Sequence, residues 1–353
     1  MRGTETALKI VITITMIELV LVFVASILII FTRIYMGYRK KRYDRIRKEI
    51  TSYFFQSLEK NANPNAFVLP RRLRNLRALL TVIEDIDETI KEANWLVLKE
   101  MIIKRYLFPK ARYSAKSLRW MRRNLAARTF ALFPTKEDED SILYLVSDKV
   151  PLNRIFAARA AIALATPTLL RRLFDMMVLE PVKNLFNLRD IVVNGSEIVY
   201  QWMQKELKRE TDINMRFIYL DIFSAKKGYT IRQLIDLDLK SDVKYLREKA
   251  VQILIQFPTK EDLPLLKPFL KDPSEDIRAH VAKALGNLVG ESAFEELKGA
   301  LQDESFWVRM QAAISLRRLG KIGVDYLNQV GDNPDMRGIV DYALTVSDRE
   351  LQE

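Results

Sequence analysis

Residue types that most often carry catalysis or bind metal ions are scarce in this sequence. Its 353 residues include one histidine, His280, and no cysteine. A cysteine nucleophile and a His/Cys metal cluster therefore cannot be assembled from this chain alone, and we expect no Ser/His/Asp triad around the one histidine. We interpret the protein as a non-enzyme and expect no cofactor, no catalytic residue and no metal ligand.

Two acidic clusters are the remaining candidates for acid/base chemistry or calcium binding: EDIDE at Glu84–Glu88 and KEDED at Lys136–Asp140. Such residues are more often found in the first turn of a helix, where the helix dipole favours negative charge, or on a solvated face. His280 corresponds to Lys249 and Gln311 in the repeats described below, which predicts an exposed position. We expect none of these residues to be catalytic.

A basic segment is the strongest candidate for a binding site. Between Lys104 and Arg128, nine positive charges alternate with four aromatic residues, and no acid is present. This mixture suits an anionic partner, whether lipid headgroups, an acidic protein face or nucleic acid. The alternative is a basic first-repeat surface that faces the membrane, with the aromatic side chains in the core. The candidate residues are Lys104, Arg105, Lys110, Arg112, Lys116, Arg119, Arg122, Arg123 and Arg128.

The formal net charge of +12 is concentrated in two places. Residues 33–48 carry +7 and residues 104–128 carry +9, which leaves the rest of the chain at −4. A nucleic-acid-binding solenoid would carry basic residues along its whole groove. The distribution therefore argues against nucleic acid as a partner.

An apolar segment near the N-terminus predicts a transmembrane helix. Residues 10–31 are apolar apart from Glu18, and as a helix they span about 33 Å, close to the thickness of a bilayer hydrocarbon core. The run is too long for the apolar part of a signal peptide, and no small-residue cleavage site follows it. Eight basic residues follow the segment within about 20 residues, but only Arg2 and Lys9 precede it. The positive-inside rule therefore places the N-terminus outside. We expect a single-pass protein of the bacterial inner membrane with cytoplasmic repeats.

The segment that follows the span predicts contact with anionic membrane lipids. Arg39, Lys40, Lys41 and Arg42 lie among tyrosines there, as is typical where a helix emerges through the headgroups. The alternative is a stop-transfer flank with no further role.

Glu18 lies inside the span, where an ionised carboxylate is costly and normally faces a partner. One interpretation is pairing with a helix of another membrane protein. The other is a neutral glutamate, or one close enough to an interface to be tolerated.

A repeat with a period of 31 residues organises the rest of the chain. The hexapeptide FPTKED occurs at Phe133–Asp138 and again at Phe257–Asp262, four periods later. Positions spaced by 31 residues carry an arginine, except for Leu185. These arginines are Arg123, Arg154, Arg216, Arg247, Arg278 and Arg309.

Each period predicts a helical hairpin. In DPSEDIRAHVAKALGNLVG, Asp272 can cap a helix that starts at Pro273, with an apolar stripe from Ile277 to Leu288 and a turn at Gly290. The next copy, DESFWVRMQAAISLRRLG, repeats this pattern 31 residues later.

The pattern D-x5-[VI]-R-x2-[AV]-A-x2-L resembles the short bacterial HEAT-like repeats, the class first associated with phycobilin lyases. The resemblance covers about residues 119–330 and is strongest in the last two copies. It implies an α-solenoid in which the recurrent Asp and Arg connect neighbouring repeats, which would make Asp272, Arg278, Asp303 and Arg309 structural.

The sequence thus predicts an all-α protein: one N-terminal transmembrane helix followed by a HEAT-like solenoid. The predicted domains are an anchor (1–32), a basic juxtamembrane helix or linker (33–60), a helical cap or degenerate repeats (61–118), HEAT-like repeats (119–330) and an acidic C-terminal tail (331–353). The expected function is a membrane-anchored, non-catalytic scaffold that binds proteins through its solenoid surface. Two alternatives remain: an accessory subunit of a membrane-embedded enzyme, such as an envelope polysaccharide synthase, and a basic nucleic-acid-binding solenoid.

Overall fold

A computed structural model describes residues 2–59, 67–226, 231–256, 258–288 and 292–345. These residues form helices and connecting turns, with no β-strand among them. The predicted all-α class is confirmed. Phe257, the turn at Gly290 and the end of the predicted acidic tail, residues 346–353, lie outside the described residues.

The described α-helices follow in chain order: α1 (Arg2–Glu59), α2 (Leu76–Thr89), α3 (Ala93–Ile102), α4 (Phe108–Ser114), α5 (Trp120–Leu132), α6 (Glu139–Val146), α7 (Pro151–Leu164), α8 (Pro167–Val178), α9 (Val182–Val193), α10 (Glu197–Leu207), α11 (Ile213–Ala225), α12 (Asp236–Leu239), α13 (Lys244–Leu254), α14 (Leu263–Leu266), α15 (Glu275–Leu285), α16 (Phe294–Ala300), α17 (Phe306–Arg318), α18 (Lys321–Val330) and α19 (Pro334–Thr345). Short 3-10 turns occur at Arg71–Leu73, Lys136–Asp138, Arg232–Leu234, Lys260–Asp262 and Lys267–Lys271, and a π-helical turn at Ile103–Leu107 joins α3 to α4.

The chain divides into two compact units, residues 1–145 and 146–353. In the first unit, α1 packs against α2, and α5 packs against both α2 and α4. In the second unit, consecutive hairpins stack, and the strongest packing is between α15 and α17. Each hairpin buries its apolar face against the next one, as expected for repeats that have no complete core of their own.

Helix α1 combines an exposed apolar part with a buried end. From Thr15 onward it is long and apolar enough to cross a membrane, and its side chains from Thr15 to Arg42 are exposed. Ile50 and Phe54, in contrast, are fully buried. The ring of Phe54 lies 5.9 Å from that of Phe67 and 6.0 Å from that of Trp95. The basic segment after the apolar run is therefore continuous helix, and its end belongs to the core of the first unit.

The second unit contains the predicted apolar stripe. Ile277, Val281 and Leu285 of α15 are fully buried. Gly323 allows α18 to approach α17 closely, since a Cβ atom there would lie 1.8 Å from the carbonyl oxygen of Leu316.

Two local features differ from the sequence-based expectation. Helix α15 begins at Glu275 with Ser274 as its N-cap residue, so Asp272 does not cap it. The carboxylate of Asp272 instead accepts a hydrogen bond from the Ser274 N–H at 2.8 Å and another from Arg247. Residues 334–345 of the predicted acidic tail form α19, which packs against α17 and α18 because Ile339 and Val340 supply an apolar face.

The buried end of α1 makes a testable prediction. Phe54→Ala removes a fully buried ring, whereas Phe55→Ala changes a side chain that is 43% exposed. We expect the first change to cost about 3 to 5 kcal/mol of stability in the first unit and the second to cost less than about 1 kcal/mol. Hydrogen exchange of α2 and α3 in the detergent-solubilised full-length protein measures the difference. Equal protection in the two variants would contradict this packing role of α1.

Candidate functional site

The arginines spaced by the repeat share one local hydrogen bond. In each of them, one terminal guanidinium nitrogen donates to the carbonyl oxygen six residues earlier, at 2.6–2.9 Å. This contact ties the start of a helix to the loop that leads into it. The acceptors are the carbonyls of Ser117, Asp148, Glu210, Ser241, Asp272 and Asp303.

The opposite edge of the guanidinium reaches the next repeat. Arg247 donates to both carboxylate oxygens of Asp272 at 2.9 and 3.2 Å. Arg278 binds Asp303 in the same way at 2.8 and 2.9 Å. Such paired, charge-assisted hydrogen bonds fix geometry as well as adding energy. We call this series of contacts the arginine ladder.

The ladder changes the ionisation of its carboxylates. Burial alone would raise the pKa of Asp303, but hydrogen bonds from Arg278 and the Ser305 N–H, together with nearby positive charge, lower it overall below the ordinary value. Asp272 behaves in the same way, with Arg247 and the Ser274 N–H as its donors, so its pKa is also lowered. Both carboxylates are therefore charged at neutral pH.

The ladder is irregular where the sequence is degenerate. Leu185 replaces its arginine, and Leu179 stands where an aspartate would meet Arg154. Glu180, the adjacent residue, pairs with Arg154 instead. A second irregular contact is that of Arg216. Ser241 stands where its aspartate partner would be, and Arg216 donates instead to both carboxylate oxygens of Asp238 at 2.7 and 2.6 Å. The sequence pattern did not predict Glu180 and Asp238, although each is an acid within three residues of the position where the repeat would place an aspartate.

The ladder ends at Arg309. Its side chain donates to the carbonyl oxygens of Asp303 and Glu304 at 2.8 and 2.9 Å. Among the described residues, no carboxylate pairs with it. The four predicted ladder residues, Asp272, Arg278, Asp303 and Arg309, are thus all placed at contacts between or within repeats.

The threonine and the final aspartate of FPTKED form the same contact in both copies. The final aspartate accepts from the threonine hydroxyl, at 2.6 Å from Thr135 to Asp138 and at 2.8 Å from Thr259 to Asp262. Both aspartates are buried. Each also receives an upstream arginine: Arg112 pairs with Asp138 at 2.7 Å, and Arg232 pairs with Asp262 at 3.0 Å. The hexapeptide therefore connects segments of the fold through a buried ion pair.

The other acidic cluster, Glu84–Glu88, is also engaged in ion pairs. Glu84 accepts from Arg128 at 2.9 Å, Asp85 pairs with Arg47 at 2.6 Å, and Asp87 pairs with Lys99 at 2.7 Å. These carboxylates hold α1, α3 and α5 against α2. His280 is exposed.

The basic segment from Lys104 to Arg128 separates into two groups. Five residues bind within the fold: Lys104 to Glu100, Arg105 to the Phe67 carbonyl, Arg112 to Asp138, Arg123 to the Ser117 carbonyl and Arg128 to Glu84. The hydrogen bond to Asp138 raises the pKa of Arg112 above its ordinary value. The other four, Lys110, Lys116, Arg119 and Arg122, are exposed.

The exposed cations lie among exposed apolar side chains. Leu118 is fully exposed, Tyr113 is 75% exposed, and Trp120 and Met121 are each 48% exposed. The ammonium group of Lys110 lies 5.1 Å above the Tyr113 ring. We call this set of residues, on α4, the start of α5 and the turn between them, the turn surface: Lys110, Tyr113, Lys116, Leu118, Arg119, Trp120, Met121 and Arg122.

The residues predicted to contact lipid along α1 are exposed. Arg39, Lys40, Lys41 and Arg42 line one continuous stretch of the helix, and the Arg39 guanidinium lies 5.7 Å from the Tyr35 ring. Glu18 is exposed on the apolar part of the same helix.

A groove in the second unit was not expected from the sequence. Its volume is about 820 Å³, and it lies beside the Arg247–Asp272 pair. Its apolar wall includes Leu239, Leu265 and Phe269, and Leu265 is 52% exposed.

Exposed aromatic residues also mark the first turns of two helices in this unit. Tyr245 of α13 is 42% exposed, and Phe306 and Trp307 of α17 are 46% and 63% exposed. In the sequence, these residues can be recognised as aromatic residues two or three positions before a ladder arginine, at positions that the repeat pattern leaves open.

Comparisons with known proteins agree with this geometry. The family model described as HEAT repeats matches residues 231–317 and 263–332. Residues 231–332 are HEAT repeats. The two matches overlap on α15–α17, where the ladder geometry is most regular. A comparison with curated proteins returned no match.

One solved structure extends the likeness along more of the chain. A crystal structure of Kap121p bound to Nup53p is similar over 82% of this chain, with a TM-score of 0.50 and 15% sequence identity. The chain spans 36% of the length of that protein. An engineered protein is 14% identical, with a TM-score of 0.36 over 79% of this chain and 93% of its own. At this level of identity, the likeness to Kap121p shows the solenoid fold.

The ladder predicts a difference between two aspartates. Asp303 pairs with Arg278 where both side chains are nearly buried, whereas the Asp276–Lys244 pair is more than half exposed. We expect Asp303→Ala to cost about 3 kcal/mol, because it leaves the buried guanidinium of Arg278 with only the exposed Glu304 as a carboxylate partner. We expect Asp276→Ala to cost less than about 1 kcal/mol. Hydrogen exchange of α15 and α17 at pH 7 reports both values. Similar losses would show that the ladder is not a principal contact between these repeats.

The lowered pKa values of Asp272 and Asp303 predict a pH dependence. Their contribution to stability is complete above the unfolded-state pKa of about 4 and is lost as the pH falls through the lower folded-state value. The penalty of Asp303→Asn should therefore be large at pH 7 and shrink at more acidic pH. Unfolding of wild type and variant across this range, in the same detergent, measures the penalty. A penalty independent of pH would contradict the assignment.

Proposed function

We propose that this chain is a single-pass membrane protein whose HEAT repeats act as a non-catalytic adaptor for protein partners. The observation that carries the proposal is helix α1, whose apolar part is exposed from Thr15 to Phe31 and whose Ile50 and Phe54 are buried in the core of the first unit. Exposed apolar helices of this length are stable in a bilayer rather than in water. Basic residues follow the span, so the repeats lie on the cytoplasmic side of the bacterial inner membrane.

The use of the charged residues supports a non-catalytic role. Both acidic clusters and the ladder carboxylates bind arginine or lysine within the fold. Engaged in this way, they hold helices together and are not arranged around a common substrate. Solenoids characteristically present long surfaces to other proteins, and the similar Kap121p was solved bound to Nup53p.

The exposed aromatic residues of the second unit favour a protein, rather than a small molecule, as its binding partner. Aromatic side chains are enriched at protein interfaces and often dominate their energetics. Phe306 and Trp307 stand together, with ring centroids 5.5 Å apart. We place the contact with the partner at these two residues.

The alternative of an accessory subunit of a membrane-embedded enzyme rests on Glu18. A tether alone needs no carboxylate in the span, whereas a helix that pairs with another membrane protein can use one. The alternative of nucleic-acid binding has less support, because five of the nine cations in the basic segment are engaged within the fold.

The adaptor proposal predicts that partner binding depends on the exposed aromatics. Photo-crosslinking residues placed at Trp307 of the full-length protein in membranes should capture a specific protein. Phe306→Ala should reduce that capture at least about tenfold if this residue is a hot spot. Leu179→Ala, at an 84% exposed position of the same unit, is the control. Equal capture by both variants, or no discrete crosslinked product, would contradict the proposal.

Glu18 separates the adaptor from the accessory subunit. If the span is only a tether, Glu18→Leu leaves the captured partners and the membrane localisation unchanged. If the span pairs with a membrane enzyme, Glu18→Leu removes that enzyme from the copurified proteins. Glu18→Gln provides the comparison that keeps a polar side chain at the same position.

A further inference from the structure

Outside α1, the turn surface of the first unit combines four exposed cations with fully or half-exposed apolar side chains. In the described residues, no carboxylate pairs with Lys110, Lys116, Arg119 or Arg122. Leu118 contributes nothing to the core, since it is fully exposed. Exposed apolar side chains rimmed by charged residues mark an interaction site rather than a surface that stays in water.

Three helices of the first unit run in the same direction. Tyr43 of α1 donates to Thr81 of α2 at 3.2 Å, and Arg47 pairs with Asp85 one turn later on both helices. The two contacts have the same separation in sequence, 38 residues. Equal offsets along two contacting helices mean that the helices are parallel.

The same holds for α2 and α5. Arg77 lies 3.5 Å from the sulfur of Met121, and Glu84 accepts from Arg128 at 2.9 Å, two turns further along both helices. Both contacts are separated by 44 residues. Taken together, the offsets place Arg77 and Met121 at the level of Arg39 in α1. The start of α5, which includes Trp120 and follows Leu118, therefore lies at the end of the first unit that faces the span.

The distance to the membrane follows from the rise of α1. Arg39 lies eight residues after Phe31, the last residue of the apolar run, which corresponds to about 12 Å of helix. The headgroup layer occupies about 5 to 8 Å beyond the hydrocarbon core. The side chains of the turn surface can cross the small remaining distance, since Trp, Lys and Arg extend their polar ends to an interface from several ångströms away.

We propose that the turn surface is a second membrane contact, in which Leu118, Trp120 and Met121 enter the interface of an anionic leaflet and the four cations bind its headgroups. Aromatic and apolar side chains beside Lys and Arg are the composition that binds such interfaces. The proposal rests on the membrane anchoring proposed above. It adds to the anchor a contact, distant in sequence, that holds the first unit against the bilayer.

The absence of cysteine from the chain allows a direct test. Single cysteines are introduced into the full-length protein, labelled with an environment-sensitive fluorophore, and reconstituted without other proteins into vesicles of phosphatidylcholine and phosphatidylglycerol. Quenching by nitroxide lipids then reports depth. Leu118→Cys is the test site, and Met36→Cys, on α1 where it leaves the span, is the interfacial standard. Val22→Cys reports the span, and Glu88→Cys, at the far end of α2, is the aqueous standard.

We expect Leu118→Cys to be quenched by headgroup nitroxides like Met36→Cys, with a blue-shifted emission, while Glu88→Cys is not quenched. Arg119→Glu combined with Arg122→Glu should abolish the quenching at position 118. Lys205→Glu combined with Lys321→Glu makes the same change in net charge at exposed positions of the second unit and should leave it intact. Replacing phosphatidylglycerol by phosphatidylcholine should also reduce it.

The outcomes separate the two proposals. If Val22→Cys is quenched by mid-bilayer nitroxides and Leu118→Cys resembles Glu88→Cys, the second contact is overturned and the anchor stands. If neither Val22→Cys nor Leu118→Cys is quenched, both proposals fail. Quenching of Leu118→Cys alone would support the contact and refute the span. A blue-shifted but unquenched Leu118→Cys would show that protein, such as a second copy of the chain, covers the turn surface, and would overturn the lipid assignment.

Discussion

The double attachment of the arginines that join one repeat to the next, such as Arg247 and Arg278, is the interaction on which the rest of the solenoid depends. One nitrogen holds the loop that leads into the arginine's own helix, and the other edge holds a carboxylate of the next repeat. A guanidinium that is 8% exposed is stable only when such partners satisfy it. The spacing of the repeats is therefore fixed by a charged contact that tolerates little displacement, while the apolar faces supply most of the burial.

The degenerate repeat shows how strictly this requirement holds. Leu179 replaces the aspartate that would meet Arg154, and Leu185 replaces the arginine that would meet position 210, so two successive contacts each lose one charged member. Arg154 pairs with Glu180 instead. Glu210, which occupies the acceptor position opposite Leu185, is held by Arg171 instead, at 3.5 Å. The two charged residues that lose their regular partners, Arg154 and Glu210, are thus paired with other charges, because an unpaired buried charge would cost about 3 to 5 kcal/mol. The acidic residues of the repeats are therefore occupied in ion pairs and are not available for catalysis or metal binding.

The sequence predicts the fold well because the repeat imposes the same local chemistry at a constant interval. Arg278 and Ile277 are predictable from their spacing, and so are the helices that carry them. Glu180 and Asp238 are not, because a guanidinium on a flexible side chain accepts a carboxylate from several neighbouring positions. The basic segment illustrates the same limit. Arg112 and Lys116 look equivalent in sequence, and only the fold shows that the first meets a buried aspartate whereas the second is exposed.

Continuity of α1 connects the proposed anchor to the first unit. The helix runs without interruption from the apolar segment to Phe54 in the core, so the direction in which the span leaves the membrane sets the orientation of the unit. Gly37 lies at the boundary, with nothing within 4 Å of the position of a Cβ atom, and glycine is the residue that stabilises a helix least apart from proline. Bending at Gly37 would tilt the unit and separate the turn surface from the headgroups. A lipid contact at the turn surface opposes that bending, since it holds the unit at a second point away from the helix axis. A helix that contains a glycine at this boundary and a basic, apolar turn at the same level are therefore complementary parts of one attachment.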